Sequence, residues 1–502
     1  MTGPDSDGRT PAKGSARVTP GGLPPAPRQP QPYGIMPAAR PQSDGAPRPL
    51  PASGKASVPV PGVSPALAAG KATVPPVPAQ PMPPRPSPVQ AATPNTPRKA
   101  PKRKRLLLAV LLPAVLFLGL AGGGVAVQLH RDLPAATLTT SIASTLRIPG
   151  KASVPWPAKG SAELMIEGLG RLGGSGGATP KAIGSVAKVM TAYLILESHP
   201  LEGEDEGPSI TVTSADVADY QSRIPSGQSL VAVSAGERMT ERDALEALLL
   251  PSANNVAHML AVWDAGGQDA FLTKMNDAAA ELGMKNTHYT DPSGFLPSTV
   301  STAADQVLLG RAALKDDVLA DIVALDEATI PVAGTIKNYN DLLGEQGVFG
   351  IKTGSTGEAG GNLLFAAHLT VAGKTFVVVG AVFNQPGAHT PEQLAQVNKV
   401  VRKLLTAVRG LVKQYTLLAD KVLGQVRTAW GSTVTVSPSI PLKVIGWPGL
   451  AMPVKVSTAA PGAEVTKGQV VGQVQAADVR VDLSTDAPTT EPTFWWKLTR
   501  RP

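Results

Sequence analysis

Cysteine is absent from all 502 residues of the chain. This absence excludes disulfide bonds, thiolate metal sites and a cysteine nucleophile. The six histidines show no metal-ligand spacing such as His-Glu-x-x-His, and we expect no metal and no other cofactor. A Ser-His-Asp triad is not excluded, but the one Gly-x-Ser-x-Gly segment, residues 173–177, is not followed directly by the apolar helix that a nucleophile elbow requires.

Acidic residues are scarce at the start of the chain. Residues 1–105 carry 15 Lys/Arg and 3 Asp/Glu, and residues 1–100 hold 26 of the 50 prolines. This composition predicts a disordered, basic tail over residues 1–105. The net charge of the whole chain is +8 and that of residues 1–105 is +12, so residues 106–502 carry a net charge of −4. We therefore expect no nucleic-acid binding by the folded part. An unstructured spacer is favoured for the tail over a docking arm, and no tail partner is specified.

One long apolar run follows the tail. Residues 106–127 are 22 residues long, about 33 Å as a helix, which is enough to cross a bilayer. The basic cluster just before it predicts a cytoplasmic N-terminus and an extracellular remainder, beginning with a linker over residues 128–157. A cleaved signal peptide and a buried core helix are the alternatives, and the length, position and lack of a polar face disfavour them.

The first stretch that suggests a reaction is Ser-x-x-Lys, formed by Ser185 and Lys188 at the start of an apolar helix. Residues three apart share a helix face, so the hydroxyl and the amine are neighbours. Burial disfavours a charged lysine and lowers its pKa, and a neutral lysine can take the proton of a serine. Because this spacing is common by chance, the motif alone indicates little.

Two later stretches add weight to it. Ser252 and Asn254 interrupt a second apolar helix, and Lys352, Thr353 and Gly354 lie inside an apolar run that predicts a buried strand. Ser-x-x-Lys, Ser-x-Asn and Lys-Thr-Gly in this order are the triplet of the penicillin-interacting serine enzymes.

Residues 158–412 therefore resemble the D-alanyl-D-alanine carboxypeptidases, the low-molecular-mass penicillin-binding proteins. The sequence around the triplet is also similar to that of the family, in residues 248–254, 282–287, 340–343 and 350–356. The resemblance implies an α+β fold, a penicillin-binding/β-lactamase-like transpeptidase domain with an antiparallel sheet flanked by helices. It also implies attack by Ser185 on the D-Ala-D-Ala amide of a peptidoglycan stem peptide, with Lys188 as base. Ser252, hydrogen-bonded between the two lysines, would relay a proton to the leaving amine.

The same resemblance implies how substrate is held. Asn254 would bind a substrate amide, Lys352 and Thr353 the terminal carboxylate, and the Gly354–Ser355 segment would line the site, with the backbone amide of Ser355 in the oxyanion hole. β-Lactams would act as inhibitors. The sequence departs from the family's usual pattern at Ile183 and Gly184, where proline and alanine are usual, and at Asn255, where aspartate is usual. These departures bear on substrate preference.

Two competing functions remain open. A class A β-lactamase shares the triplet but needs Glu-x-x-Leu-Asn, and Glu281, Glu327 and Glu345 between the second and third motifs are not followed by it. An inactive wall-facing scaffold is disfavoured by the intact motifs. Endopeptidase or transpeptidase activity on cross-linked wall is a nearer variant that the sequence does not separate.

Residues 413–502 change character. Short segments alternate valine with polar residues between prolines and glycines, which predicts a small β-rich domain. The aromatic end, residues 494–501, is interpreted as a last strand that packs its aromatic side chains, with a membrane-interface segment as the alternative.

Overall fold

The computed structural model describes residues 102–419 and 421–501, with the backbone alone for residues 102–107. The predicted tail lies outside the described residues except for 102–105, which differ from the prediction in forming the start of a helix. The α-helices of the described part are α1 (Lys102–His130), α2 (Lys188–Ser198), α3 (Ser214–Arg223), α4 (Glu241–Leu249), α5 (Asn254–Ala265), α6 (Gln268–Glu281), α7 (Ala303–Ala313), α8 (Asp317–Ala324), α9 (Thr390–Leu411) and α10 (Phe494–Thr499).

The strands are mostly short and concentrate at the two ends of the folded chain. In chain order they are β1 (Thr137–Thr140), β2 (Thr145–Arg147), β3 (Ser161–Ile166), β4 (Gly170–Ser175), β5 (Lys181–Ala182), β6 (Ser209–Thr211), β7 (Arg238–Thr240), β8 (Val300–Ser301), β9 (Glu327–Ile330), β10 (Gly334–Lys337), β11 (Val348–Thr356), β12 (Gly360–Val371), β13 (Lys374–Gln385), β14 (Lys413–Leu418), β15 (Gly424–Arg427), β16 (Thr433–Pro438), β17 (Leu442–Gly446), β18 (Ala451–Thr458), β19 (Val470–Ala476) and β20 (Val479–Thr485).

A five-stranded antiparallel sheet, in the order β11-β12-β13-β3-β4, forms the centre of the larger domain. Its inner strands are buried on both faces, as the neighbours Leu363 and Leu364 of β12 show, because the two side chains belong to different hydrophobic clusters. One face packs on the amphipathic helix α9 and the other on α7 and α8, with α2 behind them among α4, α5 and α6. This arrangement confirms the predicted α+β fold.

The second sheet has seven strands in the order β1-β15-β16-β20-β19-β18-β2, and β14 pairs separately with β17. It confirms a β-rich C-terminal domain but corrects its boundary. Residues 128–157, predicted to be a linker, contribute both edge strands, since Leu138 pairs with Val426 and Leu146 pairs with Met452. Leu138 and Leu146 pack against the hydrophobic core of this domain, which is separate from the two clusters of the central sheet. This packing offsets the cost of ordering the two short strands.

The chain ends in a short helix and not in the favoured last strand. Thr493 caps α10 by accepting a hydrogen bond from the backbone N–H of Trp496 at 3.2 Å. At the other end, α1 is the one helix among the described residues that is long and apolar enough to cross a membrane, over Leu108–His130. Side chains of that span are exposed along its length, as an apolar helix would be if lipid covered it.

Candidate active site

Ser185 lies in a single 3₁₀ turn, Gly184–Ala187, that leads directly into α2. Gly184 has a φ of +55°, and a Cβ there would lie 3.2 Å from the backbone nitrogen of Ser355. On the other side, a Cβ on Gly354 would lie 3.0 Å from the backbone nitrogen of Ser185. Two glycines therefore let strand β11 approach the turn, so that the backbone amides of Ser185 and Ser355 border one space.

Lys188 is fully buried, and its Nζ contacts three oxygens. These are Ser185 Oγ at 2.9 Å, Asn254 Oδ1 at 2.6 Å and the backbone oxygen of Ser293 at 2.8 Å. A neutral amine has two N–H donors and one lone pair, while the amide and backbone oxygens only accept. In the neutral form the two N–H groups serve Asn254 and Ser293, which leaves the lone pair of Lys188 to accept from the hydroxyl of Ser185.

Burial favours this neutral form. Loss of solvation holds the pKa of Lys188 well below its usual range, and the nearby charge of Lys352 lowers the pKa further. The carboxylate of Asp291 opposes this effect and is outweighed. Geometry and charge together therefore suit Lys188 to accept a proton from Ser185.

Ser252 is placed differently from the prediction. It is buried with a left-handed φ of +68°, and among the described residues its Oγ has no hydrogen-bond partner. The predicted pair of hydrogen bonds from Ser252 to both lysines is therefore wrong for this state. The reason is that Asn254 occupies the position beside Lys188 Nζ. The hydroxyl of Ser252 remains free to bond to another group.

Asn254 begins α5 and uses both ends of its side chain within the protein. Its oxygen accepts from Lys188, and its Nδ2 donates to Gln228 Oε1 at 2.7 Å. Its neighbour Asn255 bonds to both the backbone N–H and the backbone oxygen of Val231, at 3.1 and 2.8 Å. Asn255 was noted above as a departure that bears on substrate preference. In the structure its side chain holds the backbone of Val231 in place.

Strand β11 supplies the third motif. Lys352 is 1% exposed, and burial lowers its pKa to about 7. Thr353 is also buried, and Ser355 Oγ donates to Thr390 Oγ1 at 3.2 Å and to Gln393 at the start of α9. The strand thus brings a positive charge and two hydroxyls to the edge of the sheet beside the Ser185 turn.

Four further residues contribute to the site without any sequence signal for their role. Ser293 contributes a backbone oxygen, and Asp291 fixes that loop by accepting from Ser293 Oγ at 2.6 Å, Phe295 N at 2.9 Å and Thr299 Oγ1 at 2.6 Å. Gln228 holds Asn254 and accepts from Arg223 Nη1 at 3.3 Å.

Comparison with known proteins identifies the group to which this site belongs. The peptidase S11 family model, D-alanyl-D-alanine carboxypeptidase, matches residues 175–384. A D-alanyl-D-alanine endopeptidase of Pseudomonas aeruginosa is 31% identical over 255 residues, which are 48% of this chain and 76% of that protein. The chain belongs to the D-alanyl-D-alanine carboxypeptidase family.

Other members of the carboxypeptidase family match shorter parts. A D-alanyl-D-alanine carboxypeptidase of Streptomyces sp. is 34% identical over 221 residues, covering 41% of this chain and 72% of that protein. The Mycobacterium tuberculosis carboxypeptidase DacB2 is 38% identical over 186 residues, covering 35% of this chain and 58% of that one. A solved Streptomyces DD-transpeptidase covers 51% of this chain and 99% of its own at 27% identity, with a TM-score of 0.43. All eight predicted site residues lie within the family match.

Proposed function

We propose that the protein is a membrane-anchored serine-type carboxypeptidase that removes the terminal D-alanine from peptidoglycan stem peptides through a Ser185 acyl-enzyme. The observation that carries the proposal is the 2.9 Å contact between Ser185 Oγ and the buried, low-pKa Lys188. The family supplies the substrate class. An inactive scaffold has no need to hold a lysine without water against a serine hydroxyl, because that burial costs stability.

The proposed reaction has two halves. In the first, Ser185 Oγ attacks the carbonyl carbon of the D-Ala-D-Ala amide while its proton passes to Lys188 Nζ. The oxyanion forms between the backbone N–H groups of Ser185 and Ser355. The C–N bond then breaks, and the D-alanine amine leaves with the proton that Lys188 took from Ser185. Ser252 would relay this proton once its unpartnered hydroxyl turns towards Lys188. In the second half, water attacks the ester carbonyl while Lys188 takes the water proton. Lys188 then returns this proton to Ser185 Oγ as the ester C–O bond breaks.

Lys352 and Thr353 are proposed to bind the terminal carboxylate of the substrate. Lys352 has a pKa of about 7 in the free protein, so an arriving carboxylate would favour its charged form. Asn254 would exchange its contact with Gln228 for a substrate amide, while its oxygen keeps Lys188 in place. Gly354 would serve the site indirectly, because its missing side chain lets β11 lie against the Ser185 turn.

The anchor is proposed to be α1, over residues 106–127, with the N-terminal tail in the cytoplasm and the catalytic domain outside the cell. The length and exposure of the apolar span support this, and the basic cluster before it sets the orientation. A peptidoglycan substrate lies on that side of the membrane, so orientation and reaction agree.

Inhibition by penicillin follows from slow hydrolysis of the acyl-enzyme. The three glutamates between the second and third motifs, Glu281, Glu327 and Glu345, are exposed at the surface, and Glu345 is paired with Arg402 at 2.6 Å. A class A β-lactamase needs a glutamate at the acyl-enzyme, so this placement favours a penicillin-sensitive peptidase. The Pseudomonas relative, named as an endopeptidase, makes cleavage of cross-linked dimers the second candidate.

The test uses the full chain in mild detergent. Release of D-alanine is measured from a peptide ending in D-Ala-D-Ala, and in parallel the conversion of a cross-linked dimer into its two monomers is measured. We expect release from the first, and a fall of at least about a thousandfold in Ser185→Ala. Labelling with a fluorescent penicillin separates the alternatives, because a scaffold stays dark, a carboxypeptidase keeps the label and a β-lactamase loses it. Cleavage of the dimer alone would replace the carboxypeptidase proposal by the endopeptidase.

A further inference from the structure

A groove of about 530 Å³ lies between the segment that precedes β11 and the first turns of α9. Three residues of each segment line it, namely Lys337, Tyr339 and Asp341 before β11 and Thr390, Leu394 and Ala395 in α9. Sites of this volume hold small organic ligands or short pieces of peptide. Tyr339 is 47% exposed, so its ring is open to contact with such a ligand. We call this space the β11–α9 groove.

Both sides of the β11–α9 groove are bonded to the catalytic motifs. Ser355 Oγ donates to Thr390 Oγ1 at 3.2 Å, which ties the α9 side to the residue that follows Lys-Thr-Gly. The backbone N–H of Tyr339 donates to the backbone oxygen of Leu250 at 3.2 Å, two residues before Ser252 of the second motif. The groove therefore adjoins the candidate active site on the side of these two motifs.

Strand β11 turns two hydroxyl groups towards the face of the sheet on which α9 lies. Opposite residues of an antiparallel pair share one face, and Thr353 pairs with Leu363, which belongs to the hydrophobic cluster of α9. Ser355, two residues further along the strand, lies on the same face, while Lys352 pairs with Leu364 of the opposite cluster. A carboxylate that binds to Thr353 is thus placed on the side of the β11–α9 groove.

The residue released in the proposed reaction carries an amine, a carboxylate and a side chain on one carbon atom. Ser252 is proposed to serve the amine, and Lys352 and Thr353 the carboxylate, which leaves the groove for the remaining group. The methyl group of a free D-alanine fills only a small part of 530 Å³. In a cross-linked wall the leaving amine belongs instead to a second stem peptide, the acceptor peptide, whose size suits the groove.

We propose that the β11–α9 groove binds the acceptor peptide of cross-linked peptidoglycan, so that the same catalytic site also hydrolyses cross-links. Tyr339 and Leu394 would offer apolar contact, and Lys337 and Asp341 one charge of each sign for the carboxylate and amine groups of the peptide. The inference rests on the proposed function, because it uses the same acyl-enzyme. The C–N bond of the cross-link breaks, the acceptor amine leaves with the proton from Lys188, and water then hydrolyses the ester.

The test uses the full chain in mild detergent and compares kcat/KM for two substrates, a cross-linked dimer and a monomeric peptide ending in D-Ala-D-Ala. Ala395 is exposed on α9, so Ala395→Trp fills the groove without entering the core. We expect the ratio of kcat/KM for the dimer to that for the monomer to fall at least about tenfold. The control is Lys399→Trp, exposed on the same helix but outside the groove lining, where the ratio should stay within about twofold.

Tyr339 provides a second, independent change in the opposite wall. Tyr339→Ala removes the ring and should lower the same ratio about fivefold, mainly by raising KM for the dimer, because the lost contact is one of binding. Tyr339→Phe keeps the ring and should leave the ratio within about twofold. Labelling by a fluorescent penicillin shows that each variant is folded and still has a reactive Ser185.

The outcomes separate this inference from the proposed function. If the wild type releases D-alanine from the monomer but does not cleave the dimer, the groove proposal fails and the carboxypeptidase proposal stands. If it cleaves neither substrate and takes up no penicillin label, both fail. A ratio that Ala395→Trp leaves unchanged, or changes no more than Lys399→Trp does, would also overturn the assignment of the groove.

Discussion

Asn254 joins Lys188 to Gln228, with its oxygen 2.6 Å from the lysine nitrogen and its amide nitrogen 2.7 Å from the glutamine oxygen. Asn254 therefore holds the same nitrogen atom that contacts the reacting hydroxyl. We expect Asn254→Ala to slow acylation by a β-lactam about 10- to 100-fold, since an amine without this acceptor is no longer aimed at Ser185. Stopped-flow kinetics of acylation measure the effect.

Gln228→Ala provides the matched control for this chain of contacts. It should slow acylation less than Asn254→Ala, and the double variant should be no slower than Asn254→Ala alone, because Gln228 acts through Asn254. Additive losses would mean that Gln228 has a separate role.

The dependence of activity on pH should show two limbs. kcat/KM reports the free protein, and it should rise as Lys188 loses its proton and fall as Lys352, with a pKa of about 7, loses the charge that binds the substrate carboxylate. Lys352→Arg keeps its charge at every pH in the range, so the fall above about pH 7 should disappear in that variant. An unchanged alkaline limb in Lys352→Arg would show that another group causes it.

Asp291 should affect both stability and activity, because it accepts three short hydrogen bonds in the loop that presents the Ser293 oxygen to Lys188. We expect Asp291→Ala to lower the free energy of unfolding by about 3 kcal/mol and to slow acylation about tenfold in the folded fraction. Denaturant unfolding and the acylation rate measure the two effects.

Asp305 is the control for this change. It is also buried and accepts from the backbone N–H of Asn286 at 2.7 Å and from Thr287 Oγ1 at 2.8 Å, away from the Ser293 loop. Asp305→Ala should destabilise to a similar degree and leave acylation by the folded fraction within about twofold. Equal losses of acylation in both variants would mean that general destabilisation explains the Asp291 result.

Protonation of Glu241 should make the free energy of unfolding depend on pH. Its side chain is buried at the start of α4, neither carboxylate oxygen has a hydrogen-bond partner within the described residues, and burial raises its pKa to about 7. The folded state binds the proton more tightly than the unfolded state, so this contribution to stability is complete below about pH 4.5 and declines as the pH rises through about 7. Burial also raises the pKa of Glu246 to about 7, so Glu246 contributes to the same decline.

Glu241→Gln should therefore flatten the decline in unfolding free energy between pH 5 and pH 8 by about 1 to 2 kcal/mol, and Glu246 should account for part of what remains. Denaturant titrations across this range measure it. A decline as steep in Glu241→Gln as in the wild type would contradict the assignment.

Sequence reasoning worked where the signal is local. The apolar helix that begins at the Ser-x-x-Lys motif is present as α2, and the buried strand predicted around Lys352, Thr353 and Gly354 is present as β11. The proximity of Ser185 and Lys188 follows from helical spacing, and the structure places their side chains in contact.

Three features of the structure have no local signal in the sequence, because they depend on residues far away in the chain or on backbone atoms. Leu138 pairs with Val426, almost three hundred residues away, so four alternating residues gave no reason to expect an edge strand. The Ser293 group that contacts Lys188 is a backbone oxygen, which no residue type signals. The missing hydrogen bonds of Ser252 depend on where Asn254 places its amide, and this is a matter of packing.

The measurement that tests the account most directly is the site of acylation by benzylpenicillin. The full chain is incubated with the drug, digested with trypsin and examined by mass spectrometry. We expect one penicilloyl group on peptide 182–188, carried by Ser185 and absent from Ser185→Ala. In Lys188→Ala, where trypsin releases residues 182–223 instead, the adduct should form at least about a hundredfold more slowly. An adduct on another residue, or none on a folded protein, would contradict the assignment of Ser185 as nucleophile and Lys188 as its base.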